Sequence, residues 1–289
     1  MRIRTESVTL NGQRNVVLDA YIIEQSLTAQ IGHISSPTSR PAMIICPGGG
    51  YRILADRERL PAAMPFMEQG YQSFVLSYSI GDDSVYPHPL VDLSMAVRWV
   101  RANAERLGVN PDQVAIMGFS AGGHCAAMLA TQWHLDTWKE AESIDIARAN
   151  LGDLGSYSNQ PNAAVLCYAI TDFHAFPNID ERTAETVGAI AVQRIPESDP
   201  VNYISAETCP TFLWHTAADE TVPALQSVRF AERLLEAGVP VELHLYERGP
   251  HGISAGNKLT DYGIEDAIPA TVPGWANLAV LWVNATLGY

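Results

Sequence analysis

The chain has 289 residues, 47% of them hydrophobic and 17% charged, which fits a folded globular protein and excludes a disordered one. Its formal net charge is -14, and Lys139 and Lys258 are its only lysines. That balance argues against nucleic acid and anionic membrane surfaces as partners, because both need clustered basic side chains.

The opening residues, Met1-Arg2-Ile3-Arg4-Thr5-Glu6, lack the apolar stretch of a signal peptide. No run reaches the roughly 18 apolar residues of a membrane span. The expectation is a cytoplasmic protein. Cys46, Cys125, Cys167 and Cys209 form no C-x-x-C pair and are expected to be buried free thiols.

In chain order, Ser7 to Leu10 and Leu18 to Ile23 read as half-exposed strands of an antiparallel edge. Continuous apolar runs at Ala42 to Cys46, Ser73 to Tyr78, Val114 to Met117, Ala163 to Tyr168 and Thr211 to His215 suit central strands buried on both faces. Val241 to Tyr246 alternates, as a strand near the far edge would. Leu90 to Leu107 places Leu93, Val97 and Val100 on one helical face, with Arg98 and Arg101 opposite, and stops at Gly108. Gly123 to Ala130 is a small-residue helix, Pro223 to Ala237 is amphipathic, and Trp275 to Leu287 forms a terminal helix.

This alternation predicts one α/β domain over 1–289, with a mostly parallel sheet of about eight strands and helices on both faces. Two stretches break it, approximately 133–162 and 172–209. They are too long for ordinary connections and are expected to form a small cap over the functional site.

The chemistry centres on Gly118-Phe119-Ser120-Ala121-Gly122, which lies between the Val114 to Met117 run and the small-residue helix. A strand, G-x-S-x-G and a helix in succession make the context of a nucleophile elbow, with Ser120 exposed on a tight turn. A serine alcohol needs a base held by a third group. His251, in Arg248-Gly249-Pro250-His251-Gly252 after the last strand, supplies the imidazole. Asp219, just beyond Thr211 to His215, supplies the carboxylate, and Asp172, after the strand ending at Tyr168, is its rival. Pro47-Gly48-Gly49-Gly50-Tyr51 follows the Ile44-Ile45 strand, and its glycines let backbone N–H groups approach an oxyanion. The expected donors are Gly49, Gly50 and Ala121.

These motifs resemble those of the α/β-hydrolase esterases and lipases, in particular the acetyl esterases and acetylxylan esterases related to hormone-sensitive lipase. The resemblance runs from the Pro-Gly-Gly-Gly-Tyr loop to His251. Gly118 to His124 is especially close to that group's elbow. Pro47 departs from the histidine of many lipase-like members, but it leaves the glycine N–H groups in place. The resemblance implies the α/β-hydrolase fold, hydrolysis of short acyl esters through Ser120, His251 and Asp219, and neither a metal nor an organic cofactor. The implied partner is a small-molecule ester, acetyl above all and with a carbohydrate as one candidate alcohol, and homo-oligomerisation stays open. An amide- or peptide-cleaving relative, such as an arylformamidase or a prolyl-peptidase-like hydrolase, shares the same motifs. A non-catalytic binding protein on this fold has no physical need of them.

Tyr51, Trp275 and Asp172 are the candidate substrate contacts, the aromatic pair as a stacking platform and Asp172 at the root of the second insertion. His124 lies one helical turn beyond Ser120 and reads as a satisfied core histidine. The remaining histidines show no H-x-x-x-H or H-E-x-x-H spacing, so a metal site has little support. Gly48-Gly49-Gly50 lacks the G-K-[ST] ending of a phosphate loop, and Ile53 occupies the third glycine position of G-x-G-x-x-G.

Overall fold

A computed structural model of the chain describes residues 2–24, 39–173, 196–261, 263 and 268–289. The strands are β1 (Arg2–Asn11), β2 (Val16–Glu24), β3 (Arg40–Cys46), β4 (Gln72–Ser77), β5 (Val109–Phe119), β6 (Ala163–Cys167), β7 (Thr211–Thr216) and β8 (Val241–Tyr246). They form one sheet in the order β1-β2-β4-β3-β5-β6-β7-β8. The pairs β1–β2 and β2–β4 are antiparallel, and every pair from β4 to β8 is parallel. The antiparallel edge and the far-edge position of β8 match the alternation read from the sequence.

Period two divides the apolar strand residues between two cores. Ala42, Ile44, Phe74, Leu76, Val114, Ile116 and Leu166 face one side, where α2 (His88–Ala102), α4 (Ala121–Gln132) and α6 (Leu225–Glu236) cover them. Met43, Ile45, Val75, Ala115, Met117, Val165 and Trp214 face the other, under α1 (Leu60–Glu68) and α7 (Trp275–Leu287). Continuous apolar runs arise because both faces of a parallel sheet are covered. All four cysteines are buried and free. No described helix is long and apolar enough to cross a membrane.

The helix expected over Leu90 to Leu107 is two. It breaks at Asn103, between α2 and α3 (Ala104–Leu107). The Asn103 side-chain amide and its backbone N–H both donate to the Trp99 carbonyl, at 2.9 and 3.1 Å, and close α2 there.

The insertion 133–162 runs alongside α2, where a cap was expected. Its helix α5 (Lys139–Ala149) presents Glu142, which accepts the Arg98 Nε–H at 2.8 Å. Asp145 of α5 and Asp92 of α2 share the Arg14 guanidinium at 2.6 and 2.7 Å. The reason is topological: α4 carries the chain from Ser120 back to the N-terminal ends of the parallel strands, where β6 must begin, before the insertion starts. Of the second insertion, residues 174–195 lie outside the described residues. Its later part rests on α4, with the Ser198 carbonyl accepting from His124 Nε2 and the Glu197 carbonyl accepting from Gln132 at 2.8 Å.

Candidate active site

Strand β5 ends at Phe119, and Ser120 stands at φ 52°, ψ -117° before α4 begins. A non-glycine residue in that region is strained and persists only where its surroundings fix it. Here they do. Ser120 N–H donates to the Cys167 carbonyl at 3.0 Å, and the Ser120 carbonyl accepts from His124 N–H at 3.0 Å. The flanking glycines let the helix close on the sheet: a Cβ on Gly122 would stand 2.1 Å from the Cys46 carbonyl oxygen, and one on Gly118 equally close to that of Gly122. Gly122→Ala is therefore expected to destabilise the fold by about 1–3 kcal/mol or more through overpacking, measured as a lower denaturant midpoint; an unchanged midpoint would mean that the contact relaxes freely.

His251 and Asp219 reach Ser120 from the ends of β8 and β7. Ser120 Oγ lies 2.8 Å from His251 Nε2, and His251 Nδ1 lies 2.7 Å from Asp219 Oδ2. An ionised carboxylate can only accept, so Nδ1 carries the proton and Nε2 is left to receive the serine O–H. The second Asp219 oxygen accepts the N–H groups of Thr221 and Val222 at 2.8 and 2.9 Å. His215 stands behind it with Nε2 3.3 Å from Asp219 Oδ2. The Val222 carbonyl, 2.9 Å from the same nitrogen, can only accept, so His215 bears its proton on Nε2 and offers it to both. Burial by itself would raise the Asp219 carboxyl. Hydrogen bonds from His215 and His251, the charge on His251 and the Val222 N–H outweigh it and hold Asp219 well below the usual carboxylate range.

Asp172, the rival acid, is placed elsewhere. Its N–H donates to Gln226 Oε1 at 3.1 Å, and its carbonyl accepts from Gln226 Nε2 at 3.1 Å, which ties this loop to α6.

Gly49 at φ 129° and Gly50 at φ 62° wrap the loop around the site. A Cβ on Gly49 would stand 2.3 Å from the Ile53 carbonyl oxygen. The N–H groups of Gly49 and Gly50 donate to no described protein acceptor, and the N–H of Ala121 opens α4, where a helix leaves its first donors unpaired.

Two expected substrate contacts are corrected. Tyr51 is 0% exposed: at φ 60° its side chain turns beneath the loop, and its hydroxyl meets His124 Nδ1 at 2.6 Å. The Ser198 carbonyl 2.6 Å from His124 Nε2 can only accept, so Nδ1 is bare and the Tyr51 O–H donates to it. Burial pushes His124 down to about 4, which keeps it neutral, as a satisfied core histidine should be. Trp275 is 1% exposed, stacks on Trp214 at 4.9 Å and 19°, and donates its Nε1–H to the Ser254 carbonyl at 3.0 Å. Trp275→Ala is expected to cost about 3–5 kcal/mol of stability in thermal unfolding, as for a core tryptophan; a variant of full stability with a raised KM would restore a substrate role.

Glu58 was missed. It sits in the charged string Asp56-Arg57-Glu58-Arg59, which reads as solvated surface, yet it is buried and accepts the Gly48 N–H at 2.7 Å. Among the described residues no group of three or more His, Cys, Asp or Glu side chains is gathered as a metal would need.

The sheet order and the serine turn at the C-terminal end of β5 make this an α/β-hydrolase. The chain belongs to the BD-FAE family, whose model matches residues 34–234, a span that includes Ser120 and Asp219 and stops before His251. It is 32% identical over 227 residues to an endo-1,4-beta-xylanase B of Butyrivibrio fibrisolvens, covering 75% of this chain and 33% of that protein. A solved carboxylesterase from Lactobacillus plantarum is 26% identical with a TM-score of 0.79, over 99% of this chain and 98% of that one. The acetyl ester-xyloside bifunctional hydrolase from Caldicellulosiruptor lactoaceticus is 28% identical with a TM-score of 0.78, over 99% of this chain and 97% of that one. The chain spans between 33% and 51% of the length of the first three curated relatives it matches.

Proposed function

We propose that this chain hydrolyses short-chain carboxylic esters, acetyl esters foremost, through an acyl-enzyme on Ser120. The observation that carries the reading is the single imidazole of His251, within hydrogen-bond distance of both Ser120 Oγ and the Asp219 carboxylate. His251 Nε2 takes the serine proton as Oγ attacks the ester carbonyl, and Asp219 stabilises the resulting imidazolium. The oxyanion is received by the N–H groups of Gly49, Gly50 and Ala121, each such donor typically lowering the barrier by about 3 kcal/mol. His251 then protonates the departing alcohol. Water enters, gives its proton to His251 and releases the acid by the same steps in reverse. The acetyl preference draws support from the named acetyl ester hydrolase among the similar structures. The acidic character of the chain favours an uncharged ester.

The test is a series of p-nitrophenyl acetate, butyrate and octanoate beside acetylated xylo-oligosaccharides and an acetanilide. Acetate is expected to exceed octanoate in kcat/KM by about tenfold or more, since each methylene that fails to fit a short pocket changes binding by about 1–3 kcal/mol. A preference for octanoate would overturn the short-chain reading, and faster cleavage of the anilide would move the chain to the amidases.

A further inference from the structure

Glu58 forms part of a buried network beneath the serine that the proposed acyl transfer does not use. One carboxylate oxygen accepts the Gly48 N–H at 2.7 Å, and the other accepts the Tyr168 O–H at 2.7 Å. The Tyr168 oxygen in turn accepts the Ser254 N–H at 2.9 Å, and Ser254 Oγ donates to the Arg57 carbonyl at 2.6 Å, closing a ring back to the neighbour of Glu58. Gly48 immediately precedes the two glycines of the oxyanion loop, and Ser254 lies three residues beyond His251. The Tyr168 ring stands edge-on to the His251 ring at 5.0 Å. Both Tyr168, at φ 37°, and Ser254, at φ 58°, hold left-handed backbone that persists only where partners over-determine it.

We propose that Glu58 is a positioning residue that sets the oxyanion-side glycine loop and the His251 loop against each other through one buried carboxylate. The inference rests on the proposed Ser120 chemistry. A carboxylate presents acceptors only, and both of its partners here are donors, so its charge form fits the geometry and an amide does not. A glutamine in its place offers one acceptor oxygen and turns an N–H₂ toward a group that also donates. Burial raises the Glu58 carboxyl, and the bonds from Tyr168 and Gly48 oppose that rise. A merely space-filling position would be met more cheaply by an apolar side chain, because burying a carboxylate is costly. The bond to Gly48 also withdraws that N–H from the oxyanion and fixes the plane of the peptide that leads into Gly49.

Glu58→Gln, Tyr168→Phe and the double variant test this, with three readouts. These are kcat and KM for p-nitrophenyl acetate, the rate at which a fluorophosphonate labels Ser120, and the thermal midpoint. Glu58→Gln is expected to lower kcat and the labelling rate, both read well below the midpoint, by about 10- to 100-fold, the scale of a misplacement of about 1 Å, with KM within about threefold and the midpoint lowered by the buried donor that then faces another donor. Tyr168→Phe should move the same way, and the double variant should be little worse than Glu58→Gln, because the two residues act through one bond. Labelling and kcat within twofold of the wild type, or a rise in KM alone, would overturn the proposal. So would fully multiplicative single effects. If the wild type labels at Ser120 but cleaves no ester, the proposed function fails, while the labelling rates still decide the role of Glu58.

Discussion

Ser120→Ala is expected to lower p-nitrophenyl acetate turnover by roughly ten thousandfold to a millionfold, the range seen when a triad nucleophile is removed. The reason is specific to this site. His251 Nε2 faces Ser120 Oγ at 2.8 Å, and with the oxygen gone only the oxyanion donors remain to act on bound ester. Alanine keeps the small side chain at the φ 52° turn, so the thermal midpoint should stay close to that of the wild type. Steady-state rates on purified protein and mass detection of an acetylated Ser120 in the wild type make the measurement. Equal turnover by the two proteins would reject Ser120 as the nucleophile.

Asp219→Asn is expected to lower kcat by about ten thousandfold with little change in KM. An amide at position 219 can offer N–H₂ to His251 Nδ1, which then holds the imidazole with its proton on Nε2, pointing at a serine it can no longer deprotonate. Asp172→Asn serves as the control for the acid role and should keep a near wild-type kcat, since the carboxylate bonded to His251 Nδ1 is that of Asp219. A large loss confined to Asp172→Asn would transfer the acid role. The lowered Asp219 carboxyl also makes a stability statement. Its folded value lies below the ordinary one of about 3.9, so its stabilising contribution is complete at neutral pH and is lost only under acid, as pH falls through the folded value. The Asn variant should therefore unfold more easily than the wild type at pH 7, by a margin that narrows in strong acid.

The parts of the site that local sequence carries were legible. Ser120 was marked by the glycines and by the change from period two to helical spacing around it. Asp219 was marked by its place just after an apolar run, and His251 by its place just after the alternating last strand. The aromatic candidates were misread because exposure is not a local property: Tyr51 sits in a glycine loop and Trp275 opens a helix, and both contexts are compatible with a site mouth. The partners that bury them, His124 and Trp214, lie far away in the chain. Glu58 was hidden for the same reason. A run of four charged residues predicts solvent, and only the packing of β6 and the His251 loop around it shows a carboxylate enclosed by two donors.

By itself the sequence determined the eight strands, the two-faced core and the three residue types of the candidate triad in their chain order. Each of these is written in side-chain spacing over a few residues, and burial on one or both faces of a sheet enforces that spacing. Tertiary structure decided which of two plausible carboxylates meets His251, and that the 133–162 insertion runs beside α2. Both depend on where separate strands and helices end in space. Asp172 follows β6 into a turn held by α6, whereas Asp219 follows β7 into a turn facing the end of β8.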